Sequence, residues 1–192
     1  MTSTVPSPTT NVAVNSPALR SENTVSSREK SEARQIVYAI VENKRGVLHR
    51  ISSMFRAKGF NITSISIGTT FSPDLARMTI VPSGDQAALE LLVKQLRKMI
   101  DVIEVGTMIR GESIIRELAL VKFETKDIGT RHTILELLDK YGAKSADVSN
   151  DSLIVELCAS PERIDSFLAE ASKFGRVNDV VRTGLTALKS GL

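Results

Sequence analysis

The chain has 192 residues, of which 42% are hydrophobic and 24% charged, and a formal net charge of +3. These values are typical of one large or two small globular domains, and no apolar run approaches the roughly 20 residues of a membrane-spanning helix. Acidic and basic residues are interleaved, so the small positive charge does not form the basic stripe of a nucleic-acid-binding protein. The single cysteine, Cys158, favours a reducing compartment. Because it follows an apolar run, we expect a buried, unreactive thiol.

Residues 1–33 are rich in Ser, Thr, Pro and Asn and show no apolar periodicity, so we predict a disordered tail. The segment lacks the apolar stretch of a secretory signal. Arg20 is its only base before Arg28, whereas organellar transit peptides are rich in arginine. We therefore expect a cytoplasmic protein, with an organellar location as the alternative if the tail is a transit peptide.

Regular patterning begins after this tail, and residues 34–110 predict the order βαββαβ. β-rich runs alternate with stretches whose apolar residues recur at helical spacing. The predicted elements are strand 35–41, a turn at 42–46, a helix ending at Gly59, strands 60–67 and 75–81, a helix capped by Asp85, and strand 101–105.

Residues 114–189 repeat this order after a short link at 111–113. The sequence thus predicts an α+β protein of two ferredoxin-like βαββαβ domains, each an antiparallel sheet with its helices on one face. The predicted elements are strand 118–123, a helix ending at Gly142, strands 146–149 and 153–158, a helix with Ser160 as N-cap and Pro161 at its first position and ending at Gly175, and strand 177–181.

The residues that carry most enzyme chemistry are scarce. The two histidines, His49 and His132, fall on the polar faces of predicted helices, and we assign to neither an acidic or histidine partner one helical turn away. Glycine-rich phosphate-binding motifs and the G-x-S-x-G nucleophile motif are missing. We therefore predict no catalytic residues and no metal site.

The turn at 42–46 leads directly into a helix, whose first free N–H groups favour an anion such as a carboxylate. Asn43 offers a donor and an acceptor suited to the two charged ends of an amino acid, and Gly46 lets a ligand approach the backbone. Both residues are also ordinary turn residues, so the pattern alone leaves the two interpretations open.

The run from Val41 to Ile51, VENKRGVLHRI, resembles the opening loop of an ACT domain. With the segments that follow, it resembles the regulatory (small) subunits of acetolactate synthase over about residues 35–188. Many members have proline before the loop glycine, where this chain has Arg45. The absence of this proline implies a more mobile loop and a changed ligand affinity. The other segments that carry the resemblance are 56–68, 75–81, 116–120, 147–153, 175–177 and 181–184.

The resemblance implies a non-catalytic partner of a large subunit that uses thiamine diphosphate, Mg²⁺ and FAD, with no cofactor in this chain. It implies that the chain activates the large subunit and confers feedback inhibition by a branched-chain amino acid, with valine expected. It also implies a homodimer in which two ACT domains pair edge to edge and share the effector. The implied effector-binding residues are Asn43, Gly46, Val47 and Leu48 from one subunit and Asn61 and Ile62 from the other.

Two other classes share parts of this pattern. An RNA-recognition module has the same βαββαβ order but needs aromatic residues on its third strand, and strand 75–81 has none. A stand-alone amino-acid-sensing ACT protein that regulates another enzyme or a transcription factor is the main alternative, although the resemblance of the second half argues against it.

Overall fold

In a computed structural model of the chain, the structure describes residues 36–125 and 127–191. The predicted disordered tail lies outside these residues. The strands are β1 (Ile36–Glu42), β2 (Ile62–Thr69), β3 (Leu75–Pro82), β4 (Val102–Met108), β5 (Ser113–Glu124), β6 (Lys144–Val148), β7 (Ser152–Ala159), β8 (Arg176–Arg182) and β9 (Thr186–Lys189). The helices are α1 (Val47–Lys58), α2 (Gln86–Leu96), α3 (Ile128–Tyr141) and α4 (Pro161–Ala171), with a 3-10 turn at Arg110–Glu112.

The strands form two antiparallel sheets. The first sheet has the order β2-β3-β1-β4, and the second has the order β6-β7-β5-β8, with β9 paired to the first residues of β5. Two helices are interleaved with the strands of each sheet. This arrangement confirms the predicted α+β fold with two βαββαβ units, whereas the domain limits 34–110 and 114–189 stay predictions.

One face of the first sheet packs against α1 and α2. Val37, Ala39 and Val41 alternate along β1 and lie in this core with the leucine stripe of α2. Asp85 caps α2 as predicted, because its carboxylate accepts a hydrogen bond from the Ala88 amide at 2.9 Å. Gly59 ends α1 with a φ of 71°, which is also as predicted.

Part of the opposite face of the first sheet is buried as well. Ile36 and Met108 on this face pack against Ile115, Leu185 and Ala187 from the second half of the chain. Because both faces are covered, β1 is apolar at nearly every position rather than alternating. The covering residues come from β9, which the sequence did not predict, from Leu185 just before β9, and from the start of β5, which begins five residues before the predicted strand.

A short loop before β9 lies directly on β2. The Leu185 amide donates a hydrogen bond to the Ser64 hydroxyl at 3.3 Å, and the Ser66 hydroxyl donates to the Leu185 carbonyl. Gly184 makes this approach possible, since its φ is 80° and a β-carbon there would lie 2.7 Å from the Ser64 oxygen. The loop thus fastens the second half of the chain to an edge strand of the first sheet.

Two expectations for the second half are wrong. Helix α4 ends at Ala171 rather than near Gly175, which instead packs closely: a β-carbon there would lie 2.8 Å from the Ile134 side chain. Ser160 is the N-cap of α4 and Pro161 its first residue, which confirms the prediction, although the Ser160 side chain makes no capping hydrogen bond. Cys158 is exposed, because the alternation along β7 turns it away from the helices. Within the described residues, no helix is long and apolar enough to cross a membrane.

Replacing Gly184 by alanine should lower the free energy of unfolding by about 1–3 kcal/mol, because a β-carbon strains the left-handed backbone and meets Ser64. Gly111→Ala is the matched control, since a β-carbon there meets no atom within 4 Å. Urea unfolding of both variants measures the difference. Equal stability of the two variants would contradict the tight approach at Gly184.

Candidate effector site

The loop between β1 and α1 ends at Gly46, which precedes the helix with a φ of 85°. No side chain caps α1, whereas Asp85 and Asp127 cap α2 and α3 through their carboxylates. The Arg50 amide is the first to bond back to the loop glycine, at 3.0 Å. The amides of Leu48 and His49 before it therefore have no intrahelical acceptor, and they can bind an anion.

Asn43 fastens this loop to the connection between β2 and β3. Its backbone amide donates to the Asp74 carbonyl at 2.7 Å, and its side-chain amide donates to the Pro73 carbonyl at 2.8 Å. The side chain is exposed, and its carbonyl oxygen stays available as an acceptor. Asn43 thus has a structural role that the sequence pattern did not indicate, in addition to the predicted role in binding.

A pair of charged residues holds the helix beside the loop. Arg50 donates two hydrogen bonds to the Asp101 carboxylate, both at 2.6 Å, and Asp101 is only 5% exposed. The Asp101 carbonyl also accepts a hydrogen bond from the Glu42 amide at 2.9 Å, at the point where β1 ends. One residue therefore fixes both ends of the loop.

The Arg50–Asp101 pair also lowers the pKa of the Asp101 carboxyl and limits the room beside Gly46. The Arg50 guanidinium holds the pKa of the Asp101 carboxyl below its usual range through its hydrogen bonds. The remaining guanidinium nitrogen of Arg50 lies 3.2 Å from where a β-carbon on Gly46 would stand. A side chain at position 46 would therefore meet Arg50.

The implied effector residues separate into two groups. Asn43, Gly46, Val47 and Leu48 lie together at the start of α1, where Val47 is buried in the first core and Leu48 is 52% exposed. The other two, Asn61 and Ile62, lie at the start of β2. The Asn61 carbonyl accepts a hydrogen bond from the Ser83 amide at 2.8 Å, and Ile62 packs against the first core.

The strand register places these two groups at opposite ends of the first sheet. Ile62 pairs with Pro82 at the end of β3, whereas Glu42 pairs with Leu75 at its beginning. Seven residues of an extended strand span about 23 Å. A single chain therefore does not bring Asn61 and Ile62 to the loop.

The rest of the described chain offers no competing metal centre. No group of three or more histidine, cysteine, aspartate or glutamate side chains is arranged to hold a metal ion within residues 36–125 and 127–191. His132 does have an acidic neighbour one turn away, contrary to the prediction: its Nδ1 lies 3.4 Å from the Glu136 carboxylate. Both side chains are largely exposed, and this contact is a surface pair.

Replacing Asp101 by asparagine should lower the melting temperature at neutral pH, because Arg50 loses its ionised partner. In the wild type, the contribution of the Asp101 carboxylate is complete above about pH 5. It is lost as the pH falls through about 3.9 towards the lower pKa of the folded state, because the unfolded carboxyl takes up its proton first.

The stability gap between wild type and Asp101→Asn should therefore narrow on acidification, as measured by thermal unfolding across this pH range. Asp139→Asn on the exposed face of α3 is the control and should behave as wild type. A gap that stays constant from neutral pH to pH values well below 4 would argue against the lowered pKa.

Comparisons with known proteins cover both halves of the chain. A family model described as an AHAS small subunit-like ACT domain matches residues 37–104, and a model for the small subunit of acetolactate synthase matches residues 116–191. The probable acetolactate synthase small subunit of Methanothermobacter thermautotrophicus is 40% identical over 81% of this chain and 92% of its own length. The acetolactate synthase small subunit of Mycolicibacterium smegmatis is 39% identical over 79% of this chain and 88% of its own.

A solved structure agrees with these relatives. The crystal structure of the acetolactate synthase small subunit from Thermotoga maritima superposes with a TM-score of 0.76 and is 28% identical, covering 82% of this chain and 98% of its own. The match therefore extends over both sheets, in the same order along the chain. This chain belongs to the family of acetolactate synthase small subunits.

Proposed function

We propose that this chain is the non-catalytic regulatory subunit of an acetolactate synthase. It binds the catalytic large subunit, raises its activity and makes it sensitive to inhibition by valine. The match of both halves of the chain to small-subunit models is the observation that carries this proposal. The thiamine diphosphate, Mg²⁺ and FAD of the reaction belong to the large subunit, and this chain needs no cofactor of its own.

The effector site is completed by a second copy of the chain. β2 is an edge strand, and no strand within the described residues pairs with its outer side. Ile65 and Ile67 on β2 are 38% and 45% exposed, and the strand carries no charge or proline to protect the edge. These features support a homodimer in which two β2 edges pair.

An antiparallel pairing of these edges brings the two groups of effector residues together. It places the start of one β2 beside the end of the other. The end of β2 lies beside the effector loop, because Thr69 pairs with Ala76 and Ala76 pairs with Val41. Asn61 and Ile62 of one copy then approach the loop of the other.

The chemistry of this composite site suits a small apolar amino acid. The amides of Leu48 and His49 receive the carboxylate, and the side-chain oxygen of Asn43 accepts from the ammonium group. Gly46 leaves room for the ligand at the backbone. The exposed Leu48 and the partner's Ile62 offer apolar surface for the valine side chain. A site shared by two chains couples binding to assembly, which allosteric control requires.

Removing the Asn43 side chain should weaken valine inhibition of the reconstituted complex by about 10- to 150-fold, because a hydrogen bond to a charged group is lost. Gly46→Asp should weaken it further, since the new carboxylate lies where the ligand carboxylate binds and also meets Arg50. Asn61→Ala should weaken it from the neighbouring copy. Valine titration of acetolactate formation measures all three.

All three variants should still stimulate the large subunit in the absence of valine. Asn178→Ala on the exposed surface of the second sheet is the matched control and should leave valine inhibition unchanged. If the Asn43 and Gly46 variants are inhibited as readily as wild type, the effector site lies elsewhere.

The chain alone should form no acetolactate from pyruvate when supplied with thiamine diphosphate, Mg²⁺ and FAD, and it should raise the rate of its large subunit on mixing. A discontinuous assay of acetolactate with each subunit alone and both together measures this. Turnover by the isolated chain would refute the non-catalytic role. Valine binding without any effect on the large subunit would favour the stand-alone ACT protein instead.

A further inference from the structure

The first sheet has a second open edge at β4. No strand within residues 36–125 and 127–191 pairs with the outer side of β4, and its register with β1 is regular from Glu104 to Met108. The only charge on the strand is Glu104, whose carboxylate accepts a hydrogen bond from the Tyr38 hydroxyl at 2.6 Å. β4 thus lacks the lysines and prolines that usually keep an edge strand from pairing.

A groove runs between this edge and helix α2. It encloses about 610 Å³ and is floored by Leu89 and Val93, both of which are largely buried. Thr107 of β4 forms its opposite wall. Ile103, which does not line the groove, is 60% exposed and offers further apolar surface near the start of the strand. An apolar floor beside an open strand edge can receive alternate side chains of an added strand.

The rim of the groove is positively charged. Lys94, Arg97 and Lys98 line it and are exposed, and Glu90 is the one carboxylate among the residues that line it. None of the three cations forms a salt bridge with another described residue, and Glu90 accepts a hydrogen bond from the neutral Gln86 side chain. The rim therefore has an excess of two positive charges and fits an acidic partner.

We propose that an extended, acidic segment of the catalytic large subunit adds to the first sheet along the outer edge of β4. Its backbone pairs with β4, its apolar side chains enter the groove, and its carboxylates contact Lys94, Arg97 and Lys98. This inference rests on the proposed function, because it names the surface through which that function is exerted. The proposed homodimer engages the β2 edge, so β4 is the edge of this sheet left for the large subunit.

The test uses the full chain and its cognate large subunit. Lys94→Glu/Lys98→Glu should weaken binding of the large subunit by at least about tenfold at low salt, with a smaller loss at high salt. Ile103→Arg should weaken it as well. Lys173→Glu/Lys189→Glu reverses two exposed charges of the second half and should bind as wild type. Affinity is measured by titration calorimetry at two salt concentrations.

Hydrogen exchange followed by mass spectrometry supplies a second readout. Addition of the large subunit should slow exchange at residues 102–108. Valine binding by the small subunit alone should be unchanged in the Lys94→Glu/Lys98→Glu variant, which checks its fold.

The outcomes separate this inference from the proposed function. If the wild-type chain does not bind the large subunit at all, the proposed function fails and the inference fails with it. If wild type and the Lys94→Glu/Lys98→Glu variant bind equally well and residues 102–108 stay unprotected, only the inference is overturned. Protection of these residues that depends on small-subunit concentration alone would assign the edge to a second copy and also overturn it.

Discussion

The fold depends on the burial of apolar residues on the face of the first sheet that lies opposite α1 and α2. Ile36 on this face is fully buried, and it is covered by Leu185 and Ala187, which lie about 150 residues later in the sequence. Burying an aliphatic side chain of this size contributes roughly 1.5–3 kcal/mol. The first sheet would expose this apolar face without the segment around β9. The second half of the chain is therefore part of the support of the first sheet and holds β2 in place through Ser64 and Ser66.

Much of this architecture follows from local sequence patterns. The order of elements could be predicted from helical periodicity, from the Asp85 cap and from the glycines that end α1 and α3. These signals depend on only a few neighbouring residues. The sequence patterns did not indicate the features that depend on contacts between residues far apart in the sequence. β9 has only four residues and owes its conformation to pairing with β5. Gly175 resembles a helix end, yet it is required by the nearby Ile134 side chain.

The candidate site shows the same division. The loop at 43–46 was recognisable, because glycine and asparagine before an amphipathic helix have a local meaning. The bond between Arg50 and Asp101 joins residues 51 positions apart, and nothing in either segment indicates the pairing. The separation of Asn61 from the loop follows only from the strand register, which sequence periodicity does not determine. In the proposed homodimer, the part played by the second copy therefore follows from the sheet rather than from the motif.

The exposed thiol of Cys158 allows the chain to be labelled chemically at one position. It is the sole cysteine of the sequence, and its thiol lies on the solvent side of β7. A maleimide fluorophore or spin label attached there reports on one defined position, without prior removal of other thiols. The same exposure leaves the thiol open to sulfenic acid formation and to cross-linking between copies in air. Preparations of this protein therefore need a reductant to stay chemically homogeneous.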